Sequence, residues 1–246
     1  MFGARRVESV RSRHVWRLAR RSRPNDELSE PTVLERLARV SARVAATGRN
    51  PDEVAIVAVT KGFDVSVCRL ALQAGLRSLG ENRVQEALKK MDDVPGADWH
   101  LIGHLQTNKV KQAAGRFALI QSVDSVRLAE AIARHAPSQA VLIEVNIARE
   151  PQKSGAAPED ALELAVGVAN LLDLQGLMGM GPVTGDPAPA FNELRRLHDD
   201  VEQRVGKGLP VLSMGMSGDF EAALAAGSTM LRLGQALFGP RATQPQ

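Results

Sequence analysis

At 246 residues and 44% apolar, with no apolar run near the ~20 residues of a membrane span, the chain reads as one large or two small soluble domains, expected in the cytoplasm. A single cysteine, Cys68, excludes an internal disulfide, and no Cys/His cluster of metal-binding spacing occurs. The pI of about 9.3 invites a nucleic-acid reading, but residues 1–23 hold eight arginines against one glutamate, so the other 223 residues sum to −4 within a chain of net +3, and no basic binding face is expected on the folded body.

That arginine-rich segment, "MFGARRVESVRSRHVWRLARRSRP", has no apolar stretch of signal-peptide type. Its composition resembles a transit peptide, but a disordered extension is the preferred expectation. Pro24-Asn25-Asp26 supplies a boundary, so the expected organisation is a leader over 1–25 and one domain over 26–246.

In chain order, a helix is predicted over about 31–47, apolar at Val33, Leu34, Leu37, Val40 and Val44 and closed by Gly48. Eight short β-like runs follow, at Val54–Val59, Leu76–Leu79, Trp99–Ile102, Ala118–Gln121, Ala140–Val145, Leu174–Met178, Val211–Ser213 and Met230–Leu233. Helical patterns separate most of them. Asp64 is placed to cap one through Ala74, and Asp124 one through His135. Pro158 opens another through Leu171, and Phe191, Leu194, Val201 and Val205 line the inner face of a fourth. Cys68 shares a helical face with Ala71, Leu72 and Gly75 and is read as core filler. Strands that rarely alternate polar with apolar are expected where both faces are buried. Eight of them interleaved with helices predict a single (β/α)8 barrel, with an extra N-terminal helix; a doubly wound open sheet is the alternative.

Barrel chemistry sits at the C-terminal strand ends. The residues just past each predicted strand are Thr60-Lys61, Gly80-Glu81-Asn82, Gly103-His104, Ser122 and Asp124, Asn146, and then Ser213-Met214-Gly215-Met216-Ser217-Gly218-Asp219. The last strand contains Arg232 and ends at Gly234-Gln235. Small residues in the last two loops, which commonly hold a phosphate in this fold, let backbone N–H groups approach an anion. By contrast "GLMGMGPVTG" is no P-loop, since no Gly-Lys-Ser/Thr follows. It is read as a loop, and Lys153 of "QKSG" as a solvated lysine. A lysine on one rim position and a phosphate cradle across the mouth point to a phosphorylated aldehyde. Pyridoxal 5′-phosphate (PLP) fits, as a Schiff base on Lys61 with its phosphate at Ser213–Ser217 and Gly234, because an amine among apolar residues loses its proton more readily.

The stretches "AVTKG", "GENRVQEA", "WHLIGHLQTNK", "QKSG" and "LSMGMSGDFEAALAAGSTMLRLGQALFG" together resemble the pyridoxal-phosphate homeostasis proteins, the alanine-racemase-like N-terminal-domain family, from about residue 30 to 241. The resemblance implies a PLP fold-type III-like TIM barrel with PLP on Lys61 and phosphate contacts from Ser213, Met214, Gly215, Met216, Ser217 and the turn at Gly234. It places Asn82 and His104 near the ring, and Arg232 near the pyridine nitrogen or the phosphate. The family usually carries a small hydroxyl residue where this chain has Gln235, leaving the backbone N–H of Gln235 as the contact there. The implied role is to carry and buffer PLP, with transient contact to PLP-dependent apo-enzymes and no substantial turnover. A racemase would need a second base, classically a tyrosine from another domain, and the sequence contains no tyrosine. The alternatives are an amino-acid racemase-like enzyme and a Schiff-base aldolase using Glu81, Asp124 or Glu144 as acid and base. A monomer is expected, since no helix face looks surplus to the barrel.

Overall fold

The computed structural model describes residues 28–240; the predicted leader lies outside them. Eight parallel strands close into a barrel in sequence order: β1 (Ala55–Val59), β2 (Ser78–Glu81), β3 (Asp98–Leu101), β4 (Leu119–Val123), β5 (Ala140–Val145), β6 (Asp173–Gly179), β7 (Val211–Ser213) and β8 (Met230–Leu233). Helix α1 (Glu30–Ala46) precedes β1. Then α2 (Val65–Gln73), α3 (Val84–Met91), α4 (Val110–Ala113), α5 (Val126–Ala133), α6 (Ala161–Ala169), α7 (Ala188–Val205) and α8 (Phe220–Ala225) connect successive strands, and α9 (Gln235–Phe238) follows β8. The open-sheet alternative is excluded because β1 pairs with both β2 and β8.

The extra helix has a physical role in closing the outer ring. The helix after β8 has only four residues, too few to cover the β8–β1 seam. Helix α1 packs against α2, α8 and α9 instead, burying Val33, Val40 and Val44. Arg36 donates to the Leu237 carbonyl at 3.3 Å, while Arg43 lies 4.2 Å over the Phe220 ring and pairs with Glu221. Cys68 is fully buried in the core, and burial pushes its thiol pKa up, as expected of a packing residue.

Strand alternation sorts the side chains. Val57, Leu119, Leu142, Met178 and Met230 form a small apolar cluster inside the barrel, separate from the main core between strands and helices. The same alternation sends Val59, Lys61, Gly80 and Asn82 inward and Thr60, Leu79 and Glu81 outward.

Several elements differ from the sequence prediction. Strand β2 starts and ends two residues later than predicted, so Glu81 belongs to the strand and faces the helices. Asp124 does not cap α5; the Ser125 hydroxyl accepts from Leu128 N–H at 3.4 Å, and Asp124 pairs with His104 instead. The first four residues of "GLMGMGPVTG" lie within β6, where both faces are covered and no loop forms.

Candidate functional site

A cavity of about 940 Å3 opens at the C-terminal ends of the strands. Of the residues singled out from sequence, Lys61, Asn82, His104, Met216, Ser217, Arg232, Gly234 and Gln235 line it. They come from β1, β2, β3, β7 and β8 strand ends, so the topology alone assembles them. Phe63, Ile102, Met180, Glu144, Ser154 and Gly218 are among the other residues of the wall.

Lys61 is the second residue past β1 and half-buried. Its strand neighbour β8 ends at Leu233, which pairs with Ala58, so Gly234 follows at the level of the end of β1. The lysine and the glycine turn therefore share one side of the mouth. In the β7–α8 loop, the Asp219 carboxylate accepts from Met216 N–H at 2.6 Å, and the Ser217 hydroxyl accepts from Ala236 N–H at 3.0 Å, tying this loop to α9. The N–H groups of Ser217, Gly218 and Gly234 donate no hydrogen bond among the described residues. Oriented N–H groups of that kind form an anion-binding concavity. Gly215 holds the loop in shape at φ +96°, where a Cβ would stand 2.7 Å from that of Ala223.

Ser213 and Met214 sit elsewhere than the sequence suggested, and with Gly215 they do not line the cavity. Ser213 points inward below it and is fully buried, while Met214 faces the core outside the barrel. The Met214 N–H is engaged with the Met230 carbonyl at 3.2 Å. The Ser213 hydroxyl instead belongs to a buried chain across the barrel that sequence reasoning missed. Arg232 Nη1 donates to Ser213 Oγ at 2.7 Å, Ser213 donates to Gln121 Oε1 at 2.7 Å, and Gln121 Nε2 donates to His100 Nδ1 at 3.0 Å. Accepting at Nδ1 requires a neutral imidazole. Burial agrees, pushing the His100 pKa down to about 4.

Arg232 also donates to the Ser213 carbonyl at 2.8 Å and to the Gly179 carbonyl at 2.9 Å. Desolvation lowers its pKa to about 10, opposed by the charges of Glu144 and Asp219, so it remains a cation at neutral pH. Across the cavity, Glu144 is almost fully buried. Its Oε1 accepts from Ser154 at 2.9 Å, while Oε2 has no partner, and burial raises its pKa. Of the three carboxylates weighed for acid–base work, only Glu144 lines the cavity. Glu81 faces α3, and Asp124 Oδ2 stands 3.2 Å from His104 Nδ1. Lys153 is not solvated as expected. Its ammonium donates to the Gly181 carbonyl at 2.8 Å and to Glu150 at 3.1 Å, because the β5–α6 loop folds back against the end of β6.

Fold and site define a single-barrel protein with a rim lysine, a buried arginine and an N–H-lined turn between the last two strands. Residues 34–242 match the family model of the alanine racemase N-terminal domain. The pyridoxal phosphate homeostasis protein of Pseudomonas aeruginosa is 41% identical over 226 residues, covering 85% of this chain and 96% of its own length. That of Aquifex aeolicus is 40% identical, at 84% and 97% coverage. The chain belongs to the pyridoxal phosphate homeostasis protein family. Among solved structures, PipY of Synechococcus elongatus with PLP bound superposes with a TM-score of 0.73 at 34% identity, covering 84% of this chain and 100% of PipY. Alanine racemase of Corynebacterium glutamicum, at 15% identity, has a TM-score of 0.72 and covers 89% of this chain but 64% of the racemase; it shares the fold. Among the described residues no helix is long and apolar enough to cross a membrane.

Proposed function

We propose that this protein binds PLP through Lys61 and carries it, rather than turning over a substrate. The observation that carries the reading is the juxtaposition in one cavity of the Lys61 amine with the N–H groups of Ser217, Gly218 and Gly234. The cavity of about 940 Å3 is roomy for a ligand of PLP's size. When bound, PLP supplies an aldehyde that condenses reversibly with a lysine amine.

The chain's own residues fit the rest of that ligand. Lys61 offers the amine. Ser217, Gly218, Gly234 and the backbone N–H of Gln235 offer donors to the phosphate, and Arg232 supplies a fixed positive charge below them. The exposed Gln235 side chain is free to turn toward solvent without loss of that backbone donor. Asn82 and His104 border the same space from β2 and β3, which supports a role for them beside the ring, with His104 oriented by Asp124.

A carrier role is supported by the names of the relatives. Tyrosine is missing from the sequence, and Arg232 is a donor that stays charged, which disfavours protonation of a facing pyridine nitrogen and so weakens the electron sink that racemisation needs. Direct hand-over to apo-enzymes is the corresponding partner proposal, with the open mouth as the exit.

The test is an absorbance titration of purified apo-protein with PLP. A new band near the visible edge that saturates at one PLP per chain, and that borohydride converts into a stable mass increase, is expected. A sample that stays colourless and unmodified at millimolar PLP contradicts the reading.

A further inference from the structure

Beneath Lys61, on the outer side of the strands, lies a cluster that the ligand reading does not use. Glu81 is fully buried and Lys90 nearly so. The Lys90 ammonium donates to Glu81 Oε1 at 2.8 Å, to Glu86 Oε1 at 3.0 Å and to the Thr60 carbonyl at 3.0 Å. Its three protons are thus all placed, in a geometry that a solvated surface lysine does not adopt. The Thr60 hydroxyl donates to Glu81 Oε1 at 2.6 Å, and Gly62 N–H donates to Glu86 Oε1 at 2.6 Å.

These bonds converge on one place in the chain. Thr60 is held by its carbonyl, its hydroxyl and its N–H, the last donating to the Gly80 carbonyl at 3.0 Å. Gly62 is held by its N–H. Lys61 is the residue between them. Burying an ion pair is costly, and replacing one with apolar residues is often neutral or stabilising, so general stability is a poor explanation for this cluster. Desolvation works to depress the Lys90 ammonium, yet the hydrogen bonds and charges of Glu81 and Glu86 hold it upward overall. It therefore stays a cation with three fixed acceptors.

We propose that Lys90, with Glu81 and Glu86, is a positioning device that fixes the backbone on both sides of Lys61 and so aims its amine into the cavity. The proposal rests on the reading of Lys61 as the PLP lysine. None of the three touches the cofactor space; they act through residues 60–62. An amine on a long side chain gains from a rooted Cα because fewer orientations must be surrendered when its nitrogen is captured. The cluster also explains why a strand ends in Thr-Lys-Gly: threonine supplies the outward hydroxyl, and glycine at φ +74° turns its N–H toward α3.

The test compares the wild type with Glu81→Gln/Lys90→Met, which removes both buried charges together and so avoids stranding one, and with Thr60→Val and Thr60→Ser. Three readouts are taken: melting temperature, PLP affinity by absorbance, and visible circular dichroism per bound PLP. By analogy with residues that orient metal ligands, the double variant is expected to weaken PLP binding roughly 10–100-fold and to change the dichroism at equal occupancy. Thr60→Val should move both in the same direction by less, and Thr60→Ser, which keeps the hydroxyl, should restore wild-type values. Should the double variant fail to fold, the Thr60 pair decides by the same criteria. Folded variants with PLP affinity within twofold of wild type and unchanged dichroism would overturn the positioning role while leaving the PLP reading intact. A wild-type protein that forms no borohydride-stable adduct at Lys61 would overturn both.

Discussion

Acidification should destabilise this barrel through His100 before its carboxylates are exhausted. The imidazole is buried and accepts from Gln121, and its pKa drops from the ordinary 6.5 to about 4 in the folded state. Between those two values the unfolded chain binds the proton and the folded chain does not, so stability falls as pH falls. The contribution is fully present above about pH 6.5, is lost progressively down to about pH 4, and changes no further below. At about 1.4 kcal/mol for each unit of difference, the loss is roughly 3 kcal/mol, a large fraction of the ~5–15 kcal/mol that holds a domain folded. The assay is urea unfolding at half-unit steps from pH 7.5 to 4, wild type against His100→Gln. The variant keeps an acceptor for Gln121 Nε2 but cannot titrate, and other titrating groups cancel in the difference. The gap between the two stability curves should shift by roughly 3 kcal/mol over that range, in the direction of wild type weakening faster. Parallel curves would refute the neutral, buried imidazole and with it the hydrogen-bond chain from Arg232.

Two other outcomes follow from the geometry. Gly215→Ala should lower stability by about 1–3 kcal/mol and weaken PLP binding, since its Cβ has no room beside Ala223 at φ +96°; equilibrium unfolding and an absorbance titration measure both, and an unperturbed variant would show that the β7–α8 loop is not held as described. Holo-protein incubated with L-alanine in deuterium oxide should at most exchange the α-proton without accumulating D-alanine, because a missing positioned base typically costs ~10²–10⁴-fold; chiral chromatography showing turnover near ~10 per second would make this a racemase.

The barrel was legible in the sequence because parallel strands buried on both faces leave short apolar runs that helical patterns separate. The rim was legible for a related reason: polar and glycine residues after such runs have nowhere to go but the strand ends. What the sequence hid depends on side-chain direction and register. A two-residue error in β2 turns Glu81 from a rim carboxylate into a helix-facing one, and nothing in "GENRVQEALKKM" distinguishes Lys90, buried against it, from the exposed Lys89 beside it. The chain from Arg232 through Ser213 and Gln121 to His100 joins β8, β7, β4 and β3. Only a closed barrel brings strands so far apart in sequence within hydrogen-bond reach across an interior. Ser213 begins the loop motif and so suggests a phosphate contact, but as the last residue of a three-residue strand its hydroxyl faces the barrel floor, toward Gln121. Asp124 precedes an apolar helical pattern as a cap should, yet Ser125 is one residue nearer and takes the position, which leaves Asp124 for His104.

The central claim is that the Lys61 amine holds the cofactor, and Lys153, held by Glu150 and the Gly181 carbonyl, is the comparison lysine. Holo-protein should be reduced with borohydride, digested and its peptides mapped by mass spectrometry, alongside Lys61→Ala and Lys153→Ala. A pyridoxyl adduct on the Lys61 peptide, absent from Lys61→Ala and retained in Lys153→Ala, is the predicted result. An adduct found only on Lys153, or undiminished in Lys61→Ala, would contradict the account.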